Sequence, residues 1–369
     1  MPKLVALELT NGQELFEHIA NIEKAGDALC VLDPRDSRQR RQMVLETLAP
    51  THHVHADGVD ELPNGREVAE GDGAVVITSG SSGPPKAAVL TWDALRASAN
   101  LTTAALTRSR TPSWWAALTP VHIGGLAVYL RSLFSGSEPI FASTPDEALQ
   151  RGATHVSVVR TQLVRHDYTD FDLVLLGGGP PPPLVPRNVV TTYGMTETGS
   201  GVVYDGRALD DVSLRIIDGE IHVATPTLFR AYRDGTDPTY RDDSGTRWLA
   251  TGDAGQLSDE VLSVFGRQAY VIVTGGEKVW PEDVETLLCD IDGVDDVAVI
   301  GSPDPEWGQR VVMVCVTSRD GSDVLLEAQG RAREAIGRWA APKDIVLVPQ
   351  IPRTSNGKIA RRELEAVMN

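Results

Sequence analysis

The chain has 369 residues, 41% of them hydrophobic, and a formal net charge of −17 at pH 7. This length exceeds one average domain, so we expect a large and a small domain with separate apolar cores. The negative charge argues against nucleic acid or an anionic membrane as a partner. No signal-peptide core and no apolar run of spanning length is present, and Cys30, Cys289 and Cys315 lack a Cys-x-x-Cys spacing, which predicts a reduced, cytoplasmic protein.

Strand and helix signals alternate along the first part of the chain. The apolar run at residues 74–77 predicts a buried strand, and Thr91 predicts the N-cap of a helix through Leu101. A second apolar strand at residues 173–176 runs into three glycines and four prolines. From about residue 209 to 265, short strands with turn signals predict a β-rich subdomain.

The last part of the chain has its own pattern. From Pro281, the order is a helix, strands at 297–300 and 311–316, a helix at 325–339 and a strand at 345–348. This order predicts a small α+β unit. The whole chain is therefore predicted to be α/β, with α/β subdomains and a β-rich subdomain in its large N-terminal part.

Residues 78–86, Thr-Ser-Gly-Ser-Ser-Gly-Pro-Pro-Lys, form the most informative stretch. A loop rich in glycine and hydroxyl groups presents backbone N–H groups and side-chain donors to one point, as polyphosphate oxygens require. It is not a Walker A loop, because Ala87 follows Lys86 where that loop has Ser or Thr for magnesium. Taken alone, the stretch is equally consistent with a flexible Gly/Ser connection.

The nine residues resemble the phosphate loop of adenylate-forming enzymes, the superfamily of acyl-CoA synthetases, luciferases and peptide-synthetase adenylation domains. Five more motifs follow in the order of that superfamily: Tyr-Gly-Met-Thr-Glu-Thr at 193–198, Thr-Gly-Asp at 251–253, Gly-Arg at 266–267, Gly-Gly at 275–276 and Pro-Arg-Thr-Ser-Asn-Gly-Lys at 352–358. The resemblance implies activation of a carboxylic acid through an acyl adenylate, with ATP, Mg2+ and CoA. It also implies an N-terminal ATP- and acid-binding domain over residues 1–267, abbreviated at its start, and a mobile C-terminal domain over 268–369.

The resemblance implies a set of ATP-binding residues: Thr78, Ser79, Gly80, Ser81, Ser82, Gly83, Lys86, Gly178, Gly179, Thr192, Tyr193, Gly194, Thr196, Asp253 and Arg267. In this set Tyr193 would pack on adenine and Thr196 would contact the α-phosphate, while Asp253 would accept the ribose hydroxyls. Glu197 would be the magnesium ligand, as suits a hard cation. Joining a carboxylate to a polyphosphate requires cationic groups that offset the repulsion between the anions.

The catalytic residues implied by the resemblance are Lys358, His122, Lys86 and Thr196. Lys358 would enter the site for adenylation and leave when the small domain rotates, after which CoA reaches the acyl group; Gly275 and Gly276 would line the CoA channel. Without the resemblance, Lys358 and the arginines behind it would be interpreted as a solvated basic tail. The chain departs from the superfamily at the hinge, where Ala269 stands in place of an Asp.

The acid pocket is predicted from two segments outside these motifs. Residues 154–163 and 201–212 look like those of o-succinylbenzoate–CoA ligases of menaquinone biosynthesis. An acid with an aromatic ring and a second carboxylate needs donors as well as an apolar wall. His122, Gly124, Ser157, Thr161, Gln162 and Arg165 are the candidates. A lone histidine among apolar neighbours is more often a core residue, and the polar candidates fit an ordinary strand or helix surface equally well.

Two alternatives stay open at this point. One is another aryl- or acyl-CoA ligase, or a stand-alone adenylation enzyme that loads a carrier protein. The other is a degenerate nucleotide-binding sensor, against which the joint presence of Lys86, Glu197, Asp253, Arg267 and Lys358 argues. The histidines at 52, 53 and 55 are predicted to be surface loop without a metal, because no carboxylate or thiolate accompanies them at ligand spacing.

Overall fold

In the computed structural model, the described residues are 1–78, 86–106, 112–182, 184–354 and 358–367. They form two units, one made of Met1–Leu214 with Val223–Leu249 and the other of Arg215–His222 with Ala250–Asn369. Both units combine helices with sheet, which confirms the α/β fold expected from the sequence. Among the helices in the described ranges, none is long and apolar enough to cross a membrane.

The α-helices of the described residues are α1 (Gln13–Ala25), α2 (Arg38–Leu48), α3 (Trp92–Leu106), α4 (Ile123–Phe134), α5 (Pro145–Gln150), α6 (Arg160–Arg165), α7 (Pro281–Leu288), α8 (Gly321–Ala335) and α9 (Arg361–Val367). Short 3-10 helices span Thr196–Thr198, Gln268–Tyr270 and Arg338–Ala340.

The first strands are β1 (Leu4–Glu8), β2 (Ala28–Val31), β3 (His52–His55), β4 (Gly58–Glu61), β5 (Asp72–Thr78), β6 (Lys86–Thr91), β7 (Trp114–Trp115), β8 (His155–Val159), β9 (Leu173–Gly177), β10 (Val189–Met195), β11 (Ser200–Tyr204) and β12 (Arg207–Ala208). The later strands are β13 (Ser213–Ile217), β14 (Glu220–Ala224), β15 (Ala231–Tyr232), β16 (Thr239–Arg241), β17 (Arg247–Ser258), β18 (Val261–Arg267), β19 (Ile272–Thr274), β20 (Glu277–Val279), β21 (Val294–Asp304), β22 (Gly308–Thr317) and β23 (Asp344–Leu347).

The first sheet of the first unit has the order β15-β6-β5-β2-β1-β3-β4. Its centre is parallel, with β1 paired to β2 and β3, and β5 and β6 form an antiparallel hairpin. Helix α1 covers it with an apolar stripe of Leu15, Phe16, Ile19 and Ile22 and ends at Gly26, whose φ of +73° suits a left-handed cap. The strand predicted at 74–77 and the Thr91 cap are confirmed, since the Thr91 hydroxyl accepts a hydrogen bond from the Ala94 amide at 3.2 Å.

The second sheet of the first unit contains β7, β8, β9 and β10 in parallel, followed by antiparallel β11 and β12. Its central strands are buried on both faces; Val156 and Val174 have no exposed surface. The strand predicted at 173–176 is confirmed as β9. Because β8, β9 and β10 run the same way, their carboxyl ends lie at one edge, where ligands bind in open α/β sheets.

The second unit contains the β17–β18 hairpin and a five-stranded sheet of β19 to β23. Helices α7 and α8 cover a core that includes Val284, Leu288 and Val324. The helix predicted at 325–339 instead spans Gly321–Ala335. It begins earlier because the Asp320 side chain caps it, and it stops before Gly337, whose φ of +148° no helix accommodates.

Candidate active site

The ends of the predicted phosphate loop face each other across the β5–β6 hairpin. Thr78 pairs in register with Lys86, and its hydroxyl donates to the Lys86 carbonyl oxygen at 3.4 Å. Lys86 is exposed, with its Nζ 4.8 Å from the centre of the Tyr232 ring. Ser79, Gly80, Ser81, Ser82 and Gly83 lie outside the described residues, so their contact with phosphate stays a prediction.

The Tyr-Gly-Met-Thr-Glu-Thr motif occupies the end of β10 and the 3-10 helix that follows. The pairing of β10 with β11 shifts register between Tyr193 and Gly194. A Cβ at Gly194 would lie 2.1 Å from the Ser200 carbonyl oxygen, so this close approach requires glycine. The motif therefore leaves the sheet by a bulge that only its own sequence allows, and it brings Thr196 and Glu197 to the carboxyl edge.

Glu197 is fixed from two sides. Its carbonyl oxygen accepts from the Phe229 amide at 2.8 Å, and its carboxylate Oε1 accepts from the Tyr232 hydroxyl at 2.8 Å. A carboxylate has lone pairs for several partners, so one hydrogen bond leaves coordinating capacity on it. The residue thus fits the oxygen ligand that Mg2+ prefers.

Three other predicted ATP residues lie near the ends of β9 and β10. Gly178 has a φ of +89°, a backbone region that glycine enters readily. The Thr192 hydroxyl donates to the Leu176 carbonyl oxygen at 3.1 Å, which ties the two strands together. Gly179 follows on the same edge, with open space where a Cβ would be. Their contact with ATP stays a prediction.

A buried arginine that the sequence analysis missed lies behind this edge. Arg131, on α4, is 4% exposed. Its Nη1 is 3.4 Å from Ser157 Oγ and its Nη2 is 3.4 Å from Ser200 Oγ, both longer than ordinary hydrogen bonds. Its Nε has no hydrogen-bond partner among the described residues, and its guanidinium is 4.9 Å from the Trp114 ring centre. Burial lowers the Arg131 pKa below its ordinary value.

One of the residues in contact with Arg131 has a strained backbone. Ser200 has a φ of +137°, a conformation that residues with a side chain rarely adopt. Its hydroxyl is nevertheless turned toward the guanidinium. A buried cation with weak neutral partners and an apolar ring beside it is an arrangement that a bound anion would stabilise. The signal in the sequence was an arginine inside the apolar run of α4, with no acidic residue one turn away.

His122 occupies the N-cap position of α4. Its carbonyl oxygen accepts from the Gly125 and Leu126 amides, while its imidazole makes no capping hydrogen bond. A Cβ at Gly125 would lie 2.1 Å from the Thr119 carbonyl oxygen, so the glycine pair lets the turn close. The helix start is therefore made by backbone, and the catalytic role of His122, like the pocket role of Gly124, stays a prediction.

Of the polar pocket candidates, Ser157 is the one brought to Arg131. The other three belong to α6. Gln162 Oε1 accepts a hydrogen bond from the Val159 amide at 3.1 Å, which helps to start the helix. Thr161 and Arg165 are exposed. Their side chains have the features of helix-start and surface residues, and their proposed role in the pocket stays untested.

Asp253 and Arg267 form a pair within the second unit. They stand in register on β17 and β18, and Arg267 Nε lies 2.9 Å from Asp253 Oδ1. Arg267 Nη1 also donates to the Thr251 carbonyl oxygen at 2.6 Å. Asp253 is 8% exposed. The arginine thereby orients the carboxylate, whose oxygens have the acceptor capacity that two ribose hydroxyls would require.

Lys358 is the first described residue after 355–357, which lie outside the described ranges. The Lys358 amide donates to the Thr354 hydroxyl at 3.2 Å, and the Thr354 amide donates to the Lys358 carbonyl oxygen at 2.8 Å. Arg361, three residues on, is anchored by Glu285 at 2.5 Å and by Glu282 at 2.9 Å. The Lys358 side chain is exposed, and the segment that follows it is held by the ion pairs of Arg361, unlike a solvated basic tail.

Gly275 and Gly276 form the turn between β19 and β20, with φ of +59° and +86°. A Cβ at Gly275 would lie 2.7 Å from the Trp307 ring, so the turn packs closely on that indole. The predicted role of both glycines in a CoA channel is compatible with this turn and is not tested by it.

The histidines expected in a surface loop form strand β3 instead. The expectation that they lack a carboxylate at ligand distance was wrong: potential ligand atoms of His53, His55 and Asp60 lie within 4.8 Å of one another. Pairing of β3 with β4 places Asp60 opposite His53, a juxtaposition that sequence spacing does not show. Among the side chains, His55 Nε2 lies 3.1 Å from Asp60 Oδ2, and His53 Nε2 lies 2.9 Å from Glu8 Oε2.

Two family models match the chain. The AMP-binding enzyme model matches residues 17–257, and the model of the AMP-binding enzyme C-terminal domain matches residues 283–358. The chain therefore belongs to the AMP-binding enzymes, which confirms the resemblance to adenylate-forming enzymes. The boundary predicted between residues 267 and 268 falls between the matched ranges and stays a prediction.

The chain is similar to several named enzymes and to a solved structure. The probable 2-succinylbenzoate–CoA ligase of Mycobacterium tuberculosis (strain CDC 1551 / Oshkosh) is 37% identical over 85% of this chain and 89% of its own length. The 2-succinylbenzoate–CoA ligase of Listeria monocytogenes serotype 4b (strain F2365) is 29% identical over 98% of this chain and 88% of its own. The Bacillus subtilis o-succinylbenzoate CoA synthetase (MenE) in complex with the acyl-adenylate intermediate OSB-AMP has the same fold, with a TM-score of 0.84, 24% identity, and coverage of 98% of this chain and 88% of that one.

Proposed function

We propose that this chain is a 2-succinylbenzoate–CoA ligase of menaquinone biosynthesis. One carboxylate oxygen of the acid attacks the α-phosphorus of ATP, and pyrophosphate leaves. The thiol of CoA then attacks the carbonyl carbon of the acyl adenylate, and AMP leaves as the thioester forms. Membership of the AMP-binding enzymes and the 37% identity to a probable 2-succinylbenzoate–CoA ligase support this assignment.

Charge repulsion is the main obstacle in the first step, because a carboxylate approaches a polyphosphate. The exposed Lys86 ammonium, at the end of the phosphate loop, suits the phosphate oxygens, and Thr196, at the start of the 3-10 helix after β10, is assigned to the α-phosphate. Lys358 supplies a second ammonium for the charge that develops during adenylation. Magnesium, held by Glu197, would supply further positive charge to the phosphates.

Nucleotide selection is assigned to an aromatic ring for the base and to a carboxylate for the ribose. In the first unit Tyr193 offers an aromatic ring at the end of β10 for the adenine base. In the second unit Asp253, oriented by Arg267, accepts the ribose hydroxyls. These roles follow from the motifs to which the residues belong, and the ion pair between Asp253 and Arg267 supports the ribose assignment.

The burial and weak contacts of Arg131 are the observation that supports 2-succinylbenzoate as the acid. 2-Succinylbenzoate has two carboxylates, of which one reacts and the other must be held as an anion away from water. Arg131 offers a buried guanidinium whose serine partners are distant and neutral and whose Nε lacks a partner among the described residues. An acid with a single carboxylate, such as benzoate or a fatty acid, would leave this cation uncompensated.

The substrate assignment is tested with a panel of acids. The protein is expected to form the CoA thioester, AMP and pyrophosphate from 2-succinylbenzoate far faster than from benzoate or a fatty acid, measured as thioester by chromatography. Equal turnover of benzoate or a fatty acid would overturn the 2-succinylbenzoate assignment and leave the family membership standing.

Arg131→Met tests the second carboxylate. The variant should raise the KM for 2-succinylbenzoate about ten- to hundredfold, the effect of losing one charged hydrogen-bonding partner, while the KM for ATP stays near the parent value. Thermal unfolding should occur at the same temperature or higher, because a buried unpaired charge has been removed. Ser157→Ala is the matched control and should have a smaller effect. A lower unfolding temperature with an unchanged KM would identify Arg131 as structural.

The cytoplasm is the proposed location. Cys30 and Cys315 are buried thiols outside any disulfide, and burial raises the pKa of Cys30 to about 12 and that of Cys315 to about 11. Cysteines outside disulfides are the usual state of this residue in a reducing compartment.

A further inference from the structure

Tyr232 touches two of the groups that act on the nucleotide. Its hydroxyl donates to Glu197 Oε1 at 2.8 Å, and the Lys86 ammonium lies over its ring at 4.8 Å from the centre. Glu197 and Lys86 come from separate elements, a 3-10 helix after β10 and the first residue of β6. A single side chain therefore connects the carboxylate assigned to magnesium with the cation assigned to phosphate.

Strand pairing explains why the ring reaches Lys86. In the antiparallel pair of β15 and β6, Tyr232 stands opposite Ala88. Opposite residues point to the same face, and Lys86 is two residues from Ala88, so it shares that face and lies diagonal to the ring. Ala88 is small and fully buried, which leaves room for the aromatic ring.

The segment that carries Tyr232 is held firmly by its neighbours. Arg230 forms a two-point ion pair with the fully buried Asp72, at 2.8 and 2.9 Å. Arg233 donates to the carbonyl oxygens of Leu48 at 3.1 Å and Glu67 at 2.9 Å. Such anchoring on both sides fixes the tyrosine backbone, so its hydroxyl and ring act from a rigid element.

We propose that Tyr232 is the positioning residue of the metal–nucleotide site: its hydroxyl orients the Glu197 carboxylate for magnesium, and its ring supports the Lys86 ammonium. This inference rests on the proposed function of Glu197 and Lys86. The hydroxyl occupies one lone pair of Oε1 and so limits rotation of the carboxylate. The ring attracts the ammonium to its face and holds it at the start of β6.

The two contacts can be separated by substitution. Tyr232→Phe keeps the ring and removes the hydroxyl, so it should affect only the Glu197 contact and the binding that depends on metal. Tyr232→Leu removes both contacts, so it should also weaken the metal-independent part. Tyr240→Phe, on β16 of the same unit, is the control for loss of a tyrosine hydroxyl elsewhere.

The test measures equilibrium binding of ATP by calorimetry, without acid substrate, in excess magnesium and in EDTA. Tyr232→Phe should weaken binding about tenfold in magnesium and less than twofold in EDTA. Tyr232→Leu should weaken binding in both conditions, and Tyr240→Phe in neither. Parent-like affinity of Tyr232→Phe in magnesium, or an equal loss with and without the metal, would overturn the proposal.

A double-substitution cycle distinguishes this proposal from the assignment on which it rests. If Tyr232 acts through Glu197, then Tyr232→Phe should add less than a twofold loss in a Glu197→Gln background. A full tenfold loss in that background would show that the tyrosine does not work through Glu197. If Glu197→Gln alone leaves the magnesium dependence unchanged, the ligand assignment itself fails. Because no acid is present, the result does not depend on which acid the enzyme activates.

Discussion

Arg131 and Glu197 show how the surroundings of a charged residue indicate its task. Arg131 is buried with long contacts to neutral partners, an arrangement that costs stability unless an anion arrives. Glu197 instead has one strong hydrogen bond to its carboxylate and remaining oxygen capacity. The first pattern indicates an anion site and the second a cation site. Both follow from unmet hydrogen-bonding capacity rather than from the residue type alone.

Glu197→Gln is the residue-level prediction for the metal. The amide keeps the size and the acceptor for Tyr232 but lacks the negative charge that holds a hard cation. Adenylation should slow and require a higher magnesium concentration for half-maximal rate, measured as pyrophosphate release during a magnesium titration. Glu138→Gln, an exposed position in the same unit, is the matched control. An unchanged rate and magnesium requirement in Glu197→Gln would show that the residue is not a ligand.

At the scale of elements, the buried strands were the part that the sequence could predict. Apolar runs such as residues 74–77 specify a strand locally, and glycine at 194 marks a bulge that the motif itself encodes. Contacts between distant segments could not be predicted this way. Tyr232 reaches Lys86 through pairing of β15 with β6, and Asp60 reaches the histidines through pairing of β3 with β4. Register and helix docking fix these contacts, and neither is visible in local spacing.

Helix α9 provides an element-level prediction for stability. Arg361 is 5% exposed and lies between the carboxylates of Glu282 and Glu285, so Arg361→Met leaves two partly buried anions without their partner. The first unfolding transition of the full chain should lose about 3–5 kcal/mol, measured by chemical denaturation at neutral pH. An Arg362→Met control, at the exposed neighbouring position, should change stability little.

The pH dependence of Arg361→Met has a definite sign. Burial already raises the pKa of Glu285, against the attraction of Arg361. Removing the arginine raises this pKa further above its unfolded value, so the folded variant takes up a proton as pH falls. The destabilisation should therefore be smaller at pH 5 than at pH 8. Equal destabilisation at both pH values would show that lost packing, rather than unpaired charge, causes the effect.

At the scale of the whole molecule, net charge and local charge serve different purposes. The chain carries −17 overall, yet its candidate catalytic groups for anionic substrates are cations: Lys86 and Arg131 in the first unit and Lys358 in the second. A negative surface disfavours unspecific binding of polyanions, while a few positioned cations select the substrates. The motifs predicted Lys86 and Lys358, because these belong to local sequence patterns. Arg131 required the folded sheet, because its partners lie on β8 and β11.

Lys358→Ala tests whether the second unit acts in only one of the two half-reactions. A group that stabilises charge in one transition state should affect that step alone. Acyl-adenylate formation should fall about a hundredfold or more, the effect of removing one charged transition-state contact. Thioester formation from supplied 2-succinylbenzoyl adenylate and CoA should continue at close to the parent rate, and thermal unfolding should be unchanged because the side chain is exposed. The two half-reactions are measured separately, and an equal loss of rate in both would mean that Lys358 acts in both steps. An unchanged rate in both half-reactions would mean that Lys358 is a solvated surface residue without a catalytic role.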